Sequence, residues 1–130
     1  LQHVDNALAK RKTIDAQYRE LLADVPGIRC LSDAGEKVAN YAYFPVQVED
    51  HFPISRDALY ERLKEHGIYA RRYFYPLISE FPMYRGLPSS HKDNLSAASA
   101  ASKRILCLPI YPDLNPVHVE RIVSIIAGVQ

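Results

Sequence analysis

No apolar run in this 130-residue sequence approaches the roughly 20 residues that would span a bilayer. Residues 1–6 lack the charged-then-apolar order of a secretory leader. An excess of charge of one sign is also missing. The formal net charge is +1, which removes any global attraction to nucleic acid or to an anionic membrane. Cysteine is scarce: Cys30 and Cys107 each lie in a short apolar run and read as buried, inert thiols. Neither CxxC nor HxxxH spacing occurs, so no metal site is expected. The glycines are isolated, which excludes a Gly-rich loop that cradles phosphate. No GxSxG elbow is present. The five histidines are scattered over helix ends and loops, and the acids form no close pair in an apolar setting. Asp113 beside His118 reads as a loop acid next to a helix-surface imidazole. Neither nucleic acid nor membrane is expected as a partner, and the absences together point to the cytoplasm.

What is present suffices for one domain with one core. Hydrophobic residues make up 48% and charged residues 24%, as in ordinary globular chains. Residues 1–23 form one helical pattern, with Leu1, Val4, Leu8, Ile14, Tyr18, Leu21 and Leu22 at intervals of mostly three, four and seven. Pro26-Gly27 stops it, but no capping residue starts it. The expectation is that the chain is cut from a longer protein. A short strand follows at residues 28–31 and a loop at 32–38. Residues 41–48 alternate as a strand, with Ala42, Phe44, Val46 and Val48 on one face. Pro45 cannot donate a ladder hydrogen bond, which predicts an edge position or a bulge.

Ser55 caps the next helix, Asp57 favours its positive end, and Gly67 closes it in the left-handed conformation, with Ile68 packing back on Leu63. Residues 69–75 read as a strand and residues 77–93 as a long irregular segment. A helix of small residues occupies 95–103 and a short buried strand 105–108. The last helix is capped by Asn115 with Pro116 at its first position and buries Val119, Ile122, Val123 and Ile126. Helices thus interleave with strands too few and too short for a doubly wound sheet. An α+β domain is expected, with a small, mostly antiparallel sheet covered by helices on one face.

The candidate site is Arg71-Arg72 within an aromatic run. Arginine is rarely buried without a partner. In a strand the two side chains point to opposite faces, so only one can face the covered side. An anion near one of them is expected: a carboxylate, a phosphate or an acidic partner. A purely structural role, with one arginine paired to Asp50 or Glu80, also fits. A stacking platform for single-stranded RNA does not, because the glycine of that pattern is missing and the net charge is small. A standalone module that binds an amino acid or another small anion remains an alternative.

Three ordered segments carry a resemblance. They are Asn40-Tyr41-Ala42-Tyr43-Phe44-Pro45-Val46, then Gly67-Ile68-Tyr69-Ala70-Arg71-Arg72-Tyr73-Phe74-Tyr75-Pro76-Leu77, then Ala101-Ser102-Lys103-Arg104-Ile105-Leu106-Cys107-Leu108-Pro109-Ile110-Tyr111-Pro112. In this order the chain resembles the C-terminal part of the DegT/DnrJ/EryC1/StrS sugar aminotransferases over nearly its whole length. Arg11 and Tyr18 match that family's R-x(6)-Y linker helix. The resemblance implies the small domain of the aspartate aminotransferase fold type, at residues 26–130, with residues 1–25 as a linker helix from a larger domain. It implies a homodimeric parent that uses pyridoxal phosphate to move an amino group from glutamate to a nucleotide-linked keto sugar. The Schiff-base lysine would lie upstream, since none of Lys10, Lys12, Lys37, Lys64, Lys92 or Lys103 stands in its motif. This chain alone is therefore expected to bind no cofactor and to be inactive. Its implied share is substrate contact by Arg71, Arg72, Tyr73 and Tyr75. Ile78-Ser79 stand where many members have a histidine, and the run looks most like members acting on thymidine-diphosphate keto-deoxysugars.

Overall fold

The structure, a computed structural model, describes residues 2–31, 43–72, 82–83, 86–90 and 96–129. The elements run α1 (Gln2–Leu22), β1 (Ile28–Cys30), β2 (Phe44–Val48), α2 (Arg56–Glu65), β3 (Arg71–Arg72), α3 (Ser96–Arg104), β4 (Ile105–Leu108) and α4 (Pro116–Ala127). The strands form one sheet in the order β1-β2-β4-β3, and all three pairings are antiparallel. Of the strand expected at 69–75, residues 71–72 are paired, and residues 73–75 lie outside the described residues.

One face of the sheet carries Phe44, Val46 and Val48 from β2 with Leu106 and Leu108 from β4. Helices supply the other half of this core: Ile14, Tyr18 and Leu22 from α1, Leu59 and Leu63 from α2, and the stripe Val119, Ile122, Val123 and Ile126 from α4. Tyr18 is fully buried, stacks on Phe44 with ring centroids 4.7 Å apart, and donates its hydroxyl to the Pro109 carbonyl at 2.8 Å. The second half of α1 is therefore built into the same core as the sheet.

The helix signals act as expected. Ser55 Oγ accepts from the Ala58 amide, and Asn115 Oδ1 accepts from the Val117 amide. Gly67 has φ +78°, and the Ile68 and Gly67 amides donate to the Leu63 and Lys64 carbonyls, both at 2.9 Å. That is the double closure of a Schellman turn. It turns the chain sharply from α2 into β3.

Pro45 corrects the expectation drawn from it. β2 is neither an edge strand nor bulged; it pairs on both sides, with Pro45 opposite Cys107 on β4. In an antiparallel pair, the amide and carbonyl of one residue face the same neighbour. The Pro45 carbonyl accepts from the Leu31 amide beyond the end of β1, so the missing Pro45 amide would have faced the Leu31 carbonyl. That carbonyl accepts instead from Arg19 Nη2 at 2.9 Å. Arg19 is held there by Asp15 at 2.7 Å and lies 5.4 Å from the Phe44 ring centroid. A guanidinium from α1 thus replaces a strand donor, which lets a proline occupy a central strand.

Arg19→Met should destabilise the domain by roughly 2 kcal/mol, because it orphans a carbonyl and leaves the buried Asp15 carboxylate without its partner. In a Pro45→Val background an amide again faces Leu31, so the cost should fall by about 1 kcal/mol. A urea double-mutant cycle reads this coupling, and strict additivity would contradict the substitution.

Candidate functional site

The second sheet face is built by register. Arg71 lies opposite Cys107, which lies opposite Pro45. Just beyond the ends of these strands, Tyr69, Pro109 and Tyr43 gather at the same cleft. These side chains, with Ile110 and Tyr111, line a cleft of about 440 Å³. Tyr43, Tyr69 and Tyr111 expose much of their rings. Arg71 is exposed in this cleft, and its side chain makes no hydrogen bond or ion pair among the described residues.

Arg72 points the other way, as alternation requires. It lies opposite Leu106 on the helix-covered face, with its guanidinium 4.8 Å from the Tyr60 ring centroid and 3.6 Å from Asp57 Oδ1. Asp57 also accepts from Arg56 Nε at 2.8 Å, and buried Arg56 donates to the Ile105 carbonyl at 3.0 Å. Two arginines therefore converge on one carboxylate at the start of α2 and tie that helix to β3 and β4. The acid partner expected for the pair is not Asp50, which binds Arg104 at 2.9 Å; Glu80 lies outside the described residues. Tyr73 and Tyr75 lie outside them as well.

A second pocket of about 320 Å³ adjoins the first and shares Tyr69, Pro109 and Tyr111 with it. Its far side is the first half of α4, where His118, Arg121 and Ile122 fall at spacings of three and four on one helix face. Neither this pocket nor Tyr43 and Tyr111 stood out in the sequence. The usable signal was the i, i+2 pairing of Tyr69 with Arg71. Asp113 does not engage His118; it lies 3.8 Å from Lys10 at the surface.

Lys10, Lys12, Lys64 and Lys103 are all exposed, and none lines either pocket. Among the described residues, then, no amine is placed in the cleft to anchor an aldehyde cofactor. What the cleft offers is one uncommitted guanidinium, suited to a bidentate grip on a carboxylate or phosphate, and tyrosine walls with hydroxyls at their tips.

Cys107 lies on this face beneath the cleft. Burial pushes its thiol up to about 11, with the nearby Arg71 guanidinium opposing. The Cys30 thiol is also raised, chiefly by burial, with Arg19 opposing and Asp15 adding. Both thiols are favoured as neutral groups in the fold. The stability Cys107 contributes is complete below its ordinary value of 9.0 and is lost as pH rises from there towards about 11, and the Cys30 contribution likewise falls above 9.0. At pH 8 a thiol reagent should modify native Cys107 about 100-fold more slowly than the urea-unfolded chain. Equal rates would contradict its burial.

The domain is α+β and presents an arginine and several tyrosines along the sheet face opposite the packed core. The chain belongs to the DegT/DnrJ/EryC1/StrS aminotransferase family, whose match covers residues 1–127. It is 47% identical over 128 residues to a dTDP-4-amino-4,6-dideoxy-D-glucose transaminase of Escherichia coli, covering 98% of this chain and 34% of that protein. The protein of the same name from Shigella dysenteriae is 42% identical over 130 residues, covering 100% of this chain and 35% of its own length. The crystal structure of S. venezuelae DesV in complex with a ketimine intermediate superposes with a TM-score of 0.82 at 28% identity, covering 98% of this chain and 33% of DesV. The chain thus spans about a third of the length of the curated relatives it matches.

Proposed function

We propose that this chain is the small domain of a pyridoxal-phosphate aminotransferase, with residues 26–130 as that domain and residues 1–25 as the linker helix from a larger one. The donor is glutamate and the acceptor a keto sugar linked to thymidine diphosphate. The whole enzyme is a cytoplasmic homodimer. The named activities of the two bacterial relatives support the reaction and the sugar class. Pyridoxal phosphate, held by the rest of the protein, supplies the electron sink for amino transfer. The chain's own residues bind and orient the substrate. Arg71 takes an anionic group, either the donor's carboxylate or the nucleotide's diphosphate, while Tyr69, Tyr43 and Tyr111 wall the sugar from water. Tyr73 and Tyr75 join them as substrate contacts. Arg72 reaches the substrate only through β3, which it pins to α2.

The observation that carries this reading is Arg71, a cation with no acid partner among the described residues, facing a tyrosine-walled cleft in a chain of this family. The test uses the full-length protein. It should acquire a visible absorbance band with pyridoxal phosphate, lose that band on addition of glutamate, and regain it with one of a set of nucleotide keto sugars. A protein that takes up no pyridoxal phosphate, or that ignores glutamate, would overturn the reading.

A further inference from the structure

The pocket against α4 has features that the substrate contacts above leave unused. Its floor is apolar, formed by Ile68, Leu114 and Ile122. Its rim carries polar groups of defined kinds. The His118 imidazole and the Tyr69 and Tyr111 hydroxyls have no hydrogen-bond partner among the described residues. Arg121 spends one Nη2 hydrogen on the His66 carbonyl at 2.9 Å, which fixes the guanidinium at the rim and leaves its other N–H groups available. The tyrosines are 73% and 47% exposed, and both belong to the wall that the two pockets share.

We propose that this pocket holds the pyrimidine base of the nucleotide sugar, while the adjoining Arg71 cleft takes the diphosphate. The inference rests on the nucleotide-sugar reading and extends it to a specific subsite. Three observations converge on it. An apolar floor flanked by aromatic rings suits a flat heteroaromatic ring and its methyl group. A guanidinium has only donors, so Arg121 selects a ring that presents carbonyl oxygens, as a pyrimidine dione does and adenine does not. A histidine nitrogen or a tyrosine oxygen can accept from the ring N–H between two such carbonyls. The two pockets share Tyr69, Pro109 and Tyr111 as a common wall, so a single ligand can occupy both with its base on one side and its anion on the other.

The test is calorimetric binding to the full-length protein, with dTDP, ADP and inorganic pyrophosphate as probes. Wild-type protein should bind dTDP more tightly than ADP or pyrophosphate. His118→Ala and Arg121→Gln should each weaken dTDP by about tenfold or more and leave pyrophosphate unchanged. His118 is exposed and its ring has no partner among the described residues, so its removal leaves the core intact, and a preserved spectral response to glutamate verifies that the rest of the active site is assembled. Unchanged dTDP affinity in both variants, or equal affinity of the wild type for dTDP and ADP, would overturn the subsite. Loss of the glutamate response in the wild type would instead overturn the aminotransferase reading, and the dTDP comparison would still decide the pocket.

Discussion

Gly27→Ala should destabilise this domain by roughly 3 kcal/mol, more than a methyl added at any other described glycine. Gly27 sits at φ +86°, and a Cβ there would lie 2.8 Å from both Cα and Cβ of Phe52. The obstacle is backbone as well as side chain, so no rotamer change relieves it. The Gly27 carbonyl also accepts from the Glu49 amide at 2.8 Å, which holds the turn after α1 against the end of β2. Gly67→Ala is the control. Its φ of +78° is nearly the same, but a Cβ there would meet nothing within 4 Å. That variant should lose only about 1 kcal/mol, the cost of the left-handed backbone itself. Urea midpoints of the two variants separate strain from close contact; equal losses would mean that Phe52 yields.

Arg71→Ala should raise the Michaelis constant of the full-length enzyme for its anionic substrate by about 100-fold, with little change in melting temperature. The guanidinium touches the cleft and has no acid partner among the described residues, so its removal leaves none of their charges unpaired. A bidentate contact made equally in ground and transition states acts on binding and leaves the turnover number nearly unchanged. Arg71→Lys should recover only part of the loss, because a point charge keeps the attraction and gives up the fork geometry.

Much of the fold was legible because its signals are local. The cap and proline of α4, its buried stripe, and the Schellman closure at Gly67 each follow from residues within seven positions of one another. The place of β2 was not legible, because Pro45 is tolerated there through a guanidinium twenty-six residues earlier in the chain. No local rule carries that contact. The arginine pair shows the same division. Alternation alone required Arg71 and Arg72 to face opposite ways. Which one entered the cleft depended on where α2 packs, since Tyr60 and Asp57 claim the arginine on their side. The tyrosine wall was hidden for a related reason: Tyr43 precedes β2, Tyr69 precedes β3 and Tyr111 follows β4, so they line one cleft only once those strands pair. The pocket against α4 depends on three helix positions whose neighbour is a loop after β4.

One sheet face of this chain is proposed as a substrate wall and the other is a packed core, with the arginine pair divided between them. Steady-state kinetics and thermal melts of Arg71→Ala and Arg72→Ala in the full-length enzyme, measured side by side, test it most directly. The expected result is a crossed pattern. Arg71→Ala loses substrate affinity at unchanged melting temperature. Arg72→Ala loses about 1 kcal/mol of stability, from its ring contact and shared carboxylate, at a nearly unchanged Michaelis constant. The same kinetic loss in both, or a kinetic loss in Arg72→Ala alone, would contradict the division.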